Sequence, residues 1–191
     1  MPFAAAEQVI HFWFGTPPGE GTRAAWFRKD AAFDEEIRTG FGALVREALD
    51  GGLRAWDATP RGALARIVLL DQFTRNIFRG GAQSFAGDPL ALAAAQALVA
   101  RGDDRPLSGV MRQFAYLPFE HAEDAAAQAE SLRLFARLAA EHPPLADVEV
   151  WAKKHAHIIA RFGRYPHRNA VLGRASTPEE VAFLREPGSS F

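Results

Sequence analysis

Three stretches of the chain carry residues whose types and spacing suit proton transfer and anion binding. They are Asp71-Gln72 with Arg75-Asn76, Glu120-His121 with Glu123-Asp124, and the turn from Arg161 to Asn169. An imidazole titrates near neutral pH, and a nearby carboxylate can orient it, so His121 with Glu123 has the makings of a general acid–base pair. His155 is a further catalytic candidate. Guanidinium forks match carboxylates and phosphates in planar, bidentate geometry. Arg75, Arg164 and Arg168 are therefore candidate ligands for an anion, with Gln72, Asn76, His167 and Asn169 as hydrogen-bonding companions.

Such groups act only if the fold gathers them, and the elements available read as helices. Ala5 to Phe14 is apolar and stopped by Gly15; Ala31 to Asp50 is amphipathic and ended by Gly51-Gly52. Thr59-Pro60 supplies an N-cap and a first-turn proline for a helix reaching Gly80, and Asp88-Pro89 repeats the device for one stopping near Gly102. Pro118 reads as the start of the longest helical pattern, to about Glu141, where His142-Pro143-Pro144 breaks it. Ala146 to Phe162 ends at Gly163, and Thr177 with Glu180 has capping-box spacing before a short last helix. Strand alternation is missing and β-branched residues are sparse. The fold class predicted is all-α, a single helical domain over residues 1–191 with about seven or eight helices.

Helix faces then show where polar groups point inward. Leu64 and Val68 begin an arc of the Thr59 helix that continues as Asp71, Gln72, Arg75 and Asn76, an interior face turned polar. The face that buries Leu132, Phe135 and Leu138 carries Glu120, His121, Asp124 and Gln128 nearer its start, while Glu130, Arg133 and Arg137 read as solvated. His155 shares a stripe with Val148, Trp151, Ala152, Ile159 and Phe162 and is expected inward; His157, beside Lys153, Lys154 and Arg161, outward. Local roles also fit: Asp71 and Arg75 are a favourable i,i+4 pair, and arginines suit helix C-termini. If three helix ends converge, however, Arg75, Arg164 and Arg168 would meet beside His121 in the first turn of its helix, and an anion would relieve their repulsion.

Composition narrows the classes. Twenty-two Lys and Arg against 23 Asp and Glu give a formal charge of −1, which argues against nucleic acid and against a polybasic membrane surface. With no cysteine, disulfides, thiol catalysis and thiolate metal sites are excluded. No signal peptide or membrane-length apolar run is visible, so a cytoplasmic protein is expected. The chain has no Gly-x-Ser-x-Gly, no Gly-x-x-x-x-Gly-Lys, no Gly-x-Gly-x-x-Gly and no His-Glu-x-x-His, and no cofactor is expected. A metal held by His121 and Asp124, with His155 or His167, would lack the paired Glu-x-x-His spacing of di-iron bundles.

Longer motifs carry a resemblance. Leu70-Asp71-Gln72-Phe73-Thr74-Arg75-Asn76, Leu117-Pro118-Phe119-Glu120-His121-Ala122-Glu123, and Arg161 to Asn169 followed by Leu172-Gly173-Arg174 stand in order along the chain. With Phe12-Trp13-Phe14-Gly15, Trp26-Phe27-Arg28-Lys29-Asp30 and Phe33-Asp34, they resemble the bacterial "domain of unknown function" family numbered 924. Thr74 stands where that family often carries proline. The resemblance implies a tetratricopeptide-like helical arrangement, although the tetratricopeptide consensus itself is lacking. It implies no reaction.

Three functional classes follow. The polar residues could form a pocket for a small carboxylate or phosphate with acid–base work by His121, a clamp for a partner peptide on a tetratricopeptide-like surface, or a buried network that specifies helix packing.

Overall fold

Capping side chains write most of the helix starts. The computed structural model describes residues 2–19, 21–26 and 28–190, so Phe27 of the Trp26–Asp30 run lies outside them. The chain begins with α1 (Pro2–Phe14), and Asp30 opens α2 (Ala31–Leu49) by accepting the Ala32 and Phe33 N–H groups. Thr59 accepts from Gly62 N to open α3 (Pro60–Val68), which passes through a π-helical turn at Leu69–Phe73 into α4 (Thr74–Ile77). There follow α5 (Asp88–Ala100), α6 (Gly109–His121), α7 (Ala125–Glu141), α8 (Asp147–Phe162) and α9 (Pro178–Phe183). Since α3, the π turn and α4 form one rod, the described residues make eight helical rods and no strand. No helix among them is long and apolar enough to cross a membrane.

Pro118 does not start a helix. It lies in the last turn of α6, which opens instead at Ser108, whose hydroxyl accepts from Met111 N; α7 opens at Asp124, whose carboxylate accepts from Ala127 N. At that place Pro118 gives up the N–H bond to the carbonyl four residues earlier and sets its ring against it, a cost that a first-turn proline avoids. His121 consequently ends α6 and does not sit in a first turn. The projection is also wrong at Trp151, which is 48 % exposed, and at Arg137, which reaches the buried Asp104 carboxylate at 2.6 Å. His155 is buried and His157 exposed, as their helical stripe requires.

The core is built around α3. Ala63, Leu64, Ala65, Ile67, Val68, Leu69, Leu70 and Phe73 are all shielded from solvent, and α1, α5 and α6 pack on the rod from different sides. Trp13, Trp26, Phe33, Phe73 and Phe114 interlock through stacked and edge-on ring contacts at this centre. Onto it are laid α6, α7 and α8, each packed against the next. A second small cluster, Ile158, Ile159, Tyr165 and Phe183, fastens α9 to the end of α8.

Candidate functional site

The π turn is where the central rod changes character. A π turn widens the helix by one residue and re-registers the side chains after it. Here it carries Asp71, fully shielded from solvent, amid the buried Leu69, Leu70 and Phe73. Thr74, at the proline-prone position, donates its hydroxyl to Leu70 O at 2.7 Å and serves a carbonyl of the widened turn. Gly87 packs on the same carbonyl: a Cβ there would lie 2.1 Å from Leu70 O. That close approach brings Asp88, the first residue of α5, against the turn.

The last residue of α6 and the turn after α8 complete the cluster. Asp71 Oδ2 accepts from Gln72 Nε2 at 2.6 Å, and Asp71 Oδ1 lies 2.7 Å from His121 Nδ1. Burial opposes ionisation of Asp71, but Arg75 and His121 overcome it and hold the carboxyl well below its ordinary range. Asp71 is therefore an acceptor, and His121 Nδ1 carries the proton that it donates. The other ring nitrogen, Nε2, has no hydrogen-bond partner among the described residues, and the side chain is 16 % exposed. Burial lowers the pKa of His121 against the pull of Asp71, which keeps the imidazole neutral and its Nε2 lone pair available.

Two guanidinium groups meet beside this dyad. Arg75 Nη2 and Arg168 Nη1 donate to the same oxygen, Oδ2 of Asp88, at 3.2 and 3.1 Å. Arg75 also donates to the Asp71 carbonyl and approaches its carboxylate to 3.2 Å. Arg168 is buried between two rings, 4.6 Å from the Phe85 centroid and 4.5 Å from that of Tyr165.

Behind the dyad lies a more buried acid–base pair. Glu120 Oε1 is 3.2 Å from His155 Nδ1, which also donates to Trp151 O at 2.9 Å. Burial pushes Glu120 up to about 8 and His155 down to about 3, so both are neutral at neutral pH. The His155 ring sits 6.3 Å from that of His121 and edge-on to Tyr165. Gln128 of α7 donates to Glu120 O and Ala122 O, both at 2.8 Å, and thereby closes the carbonyl end of α6.

The predicted site residues divide among three places. Gln72, Arg75, His121, His155 and Arg168 share the cluster; His167 flanks it, its ring 5.6 Å from Tyr165, with burial lowering its pKa to about 4. Glu123 faces elsewhere. It takes two hydrogen bonds from Arg174 and one from Tyr165 N, and these hold its carboxylate low against burial. Arg164 does not join the other guanidinium groups: it pairs bidentately with Glu180 and donates to Ala175 O. Asn169 bonds to Ser176, Glu180 and Arg174 in the same outer network. Asn76 lies at a third place, bonded to Asp34 alongside Arg79, because the π turn rotates it away from the arc of Asp71. Asp124 caps α7 and is no metal partner of His121; no group of three or more His, Asp or Glu among the described residues is arranged to hold a metal ion.

Asp71 and Glu120 stand among the polar stretches of the sequence with no role assigned, and Phe85, Asp88 and Tyr165 are not among the candidates. Asp71 was visible as a buried-face carboxylate, and Tyr165 lies inside the basic turn. Asp88 carries no signal linking it to Arg168, 80 positions away.

A family model described as "Bacterial protein of unknown function (DUF924)" matches residues 9–188. The chain belongs to that family. DUF924 is thus represented here over nearly the whole chain. A solved structure, that of a protein of unknown function from Agrobacterium tumefaciens, is 39 % identical to this chain, with a TM-score of 0.86, and the match covers 97 % of this chain and 99 % of that one. No curated protein matches. The kinship supports the helical fold and assigns no chemistry.

Proposed function

We propose that the cluster around Asp71 and His121 binds a small anionic ligand and acts on it by general acid–base chemistry. The observation that carries this reading is the Asp71–His121 pair. A fully buried carboxylate holds the imidazole in the tautomer whose Nε2 accepts a proton, and the His121 side chain is 16 % exposed. Arg75 and Arg168 stand where an anionic group of the ligand would be oriented. Glu123, first paired with His121 from sequence, is a positioning residue that holds the 165–169 turn through Tyr165 N and Arg174.

The test is a panel of small carboxylates and phosphate esters incubated with the protein and analysed for conversion by mass spectrometry. His121→Asn should lose conversion by about 10²–10⁴-fold, the contribution of a general acid–base group, beyond any weakening of ligand binding. Conversion unchanged in that variant would overturn the catalytic role.

One observation favours a second reading. Two guanidinium groups face two carboxylates, Asp71 and Asp88, so the cluster is compensated without an anion and could serve only to lock α3, α5, α6 and the 165–169 turn together. In that case Arg168→Ala lowers stability and no ligand restores it.

A further inference from the structure

The lateral edge of Arg168 has donors that nothing in the cluster meets. Its Nη1 is engaged by Asp88, but Nε is buried without a partner, and Nη2 makes no hydrogen bond among the described residues. The side chain is only 6 % exposed, and the rings of Phe85 and Tyr165 on either side fix the plane of the fork. Nε and Nη2 point the same way, and their parallel N–H bonds match the two oxygens of a carboxylate. His121, Arg75 and Asp88 of the same cluster are each partly exposed.

Resting on the reading above, we infer that this edge receives the carboxylate of a small monoanionic ligand, and that its arrival places a proton on His121 Nε2. The charges around His121 give the reason. Acting on it are Asp71 and Arg75 from the rod of α3 and α4, Asp88 from α5, His155 from α8 and His167 from the turn, with Arg168 and the Glu123–Arg174 pair beside His167 and Glu120 beside His155. The two guanidinium groups balance Asp71 and Asp88, while burial keeps Glu120, His155 and His167 uncharged near neutral pH. A bound carboxylate therefore leaves one negative charge in excess. His121 has an open nitrogen and a carboxylate already at its Nδ1, so it takes the compensating proton from solvent and donates to both Asp71 and the ligand. A dianion such as sulfate would leave two charges, of which His121 can answer one.

Isotope-edited NMR of the full chain tests this, with sodium acetate as the probe, sulfate and inorganic phosphate as comparisons, and ionic strength held constant with chloride. Acetate should bind saturably, with the His121 Nε2 resonance moving to its protonated position. Affinity should fall by up to tenfold from pH 7 to pH 8, as uptake of one proton demands. Sulfate should bind at least tenfold more weakly, and Arg168→Lys, which keeps the charge and loses the lateral edge, should cost acetate at least tenfold. If that variant does not fold, the wild-type comparison and the His121 signal decide alone. Sulfate binding as well as acetate, or acetate binding with Nε2 left unprotonated, overturns the inference while the broader reading stands. Failure of all three anions to bind overturns both.

Discussion

Glu120 makes stability depend on pH. Its folded pKa, raised to about 8 by burial, lies above the ordinary value of 4.5, so between those values the folded state holds a proton that the unfolded state has released. Stability falls with rising pH across that window, by about 1.4 kcal/mol per pH unit where the difference is one proton. His155 works oppositely, because its pKa is lowered from 6.5 to about 3, and it adds stability as pH rises through that interval. In their overlap the two slopes cancel and His167, lowered to about 4, adds a rise up to pH 6.5, which leaves a decline between pH 6.5 and 8. Thermal melts of the wild type should show that decline, and Glu120→Gln should remove it while keeping an acceptor beside His155. A melting temperature equally pH-dependent in both proteins would show that Glu120 is ionised in the fold. At this scale the sequence was partly legible. His155 lies on an apolar helical stripe and is buried, whereas Asp88 could not be read because only the tertiary approach of Gly87 to Leu70 brings it to the arginines.

Among the elements, the tightest constraint is the contact between the π turn and the loop before α5. A methyl group on residue 87 would overlap the Leu70 carbonyl, so Gly87→Ala must push the loop from the rod and move Asp88 off Arg75 and Arg168. The expected cost is roughly 1–3 kcal/mol or more, measured by denaturant unfolding. A neutral result would mean that the loop yields without disturbing the site. At the far end, α9 is fastened by Glu180, which accepts from Arg164, Asn169 and Thr177 N. Glu180→Gln should speed amide exchange in residues 163–184 and leave that of α3 unchanged; equal acceleration in both would make α9 part of the main cooperative unit. Helix ends written in side-chain chemistry, at Thr59, Thr177 and Gly163, were legible from local rules. The break between α6 and α7 was not, because Pro118 offers a stronger helix-start signal than Ser108 or Asp124, and the π turn leaves no mark in residue type.

For the molecule as a whole, the fold is a packed helical array that brings three elements together on one buried polar cluster: the π turn of the central rod, the C-terminus of α6 and the turn after α8. Kinship with DUF924 over residues 9–188 gives the architecture, and the cluster's chemistry must be measured. The most direct measurement is the melting temperature in millimolar phosphate, sulfate and small carboxylates, at constant ionic strength, with Arg168→Ala beside the wild type. A ligand at a hundredfold its Kd contributes about 2.7 kcal/mol, roughly 5–10 °C for a chain of this size. The account predicts a saturable rise of that order in the wild type for at least one small anion, and its loss in Arg168→Ala with helix content intact. A wild-type melting temperature no higher in any of these anions than in chloride, or a rise that survives in Arg168→Ala, would contradict it.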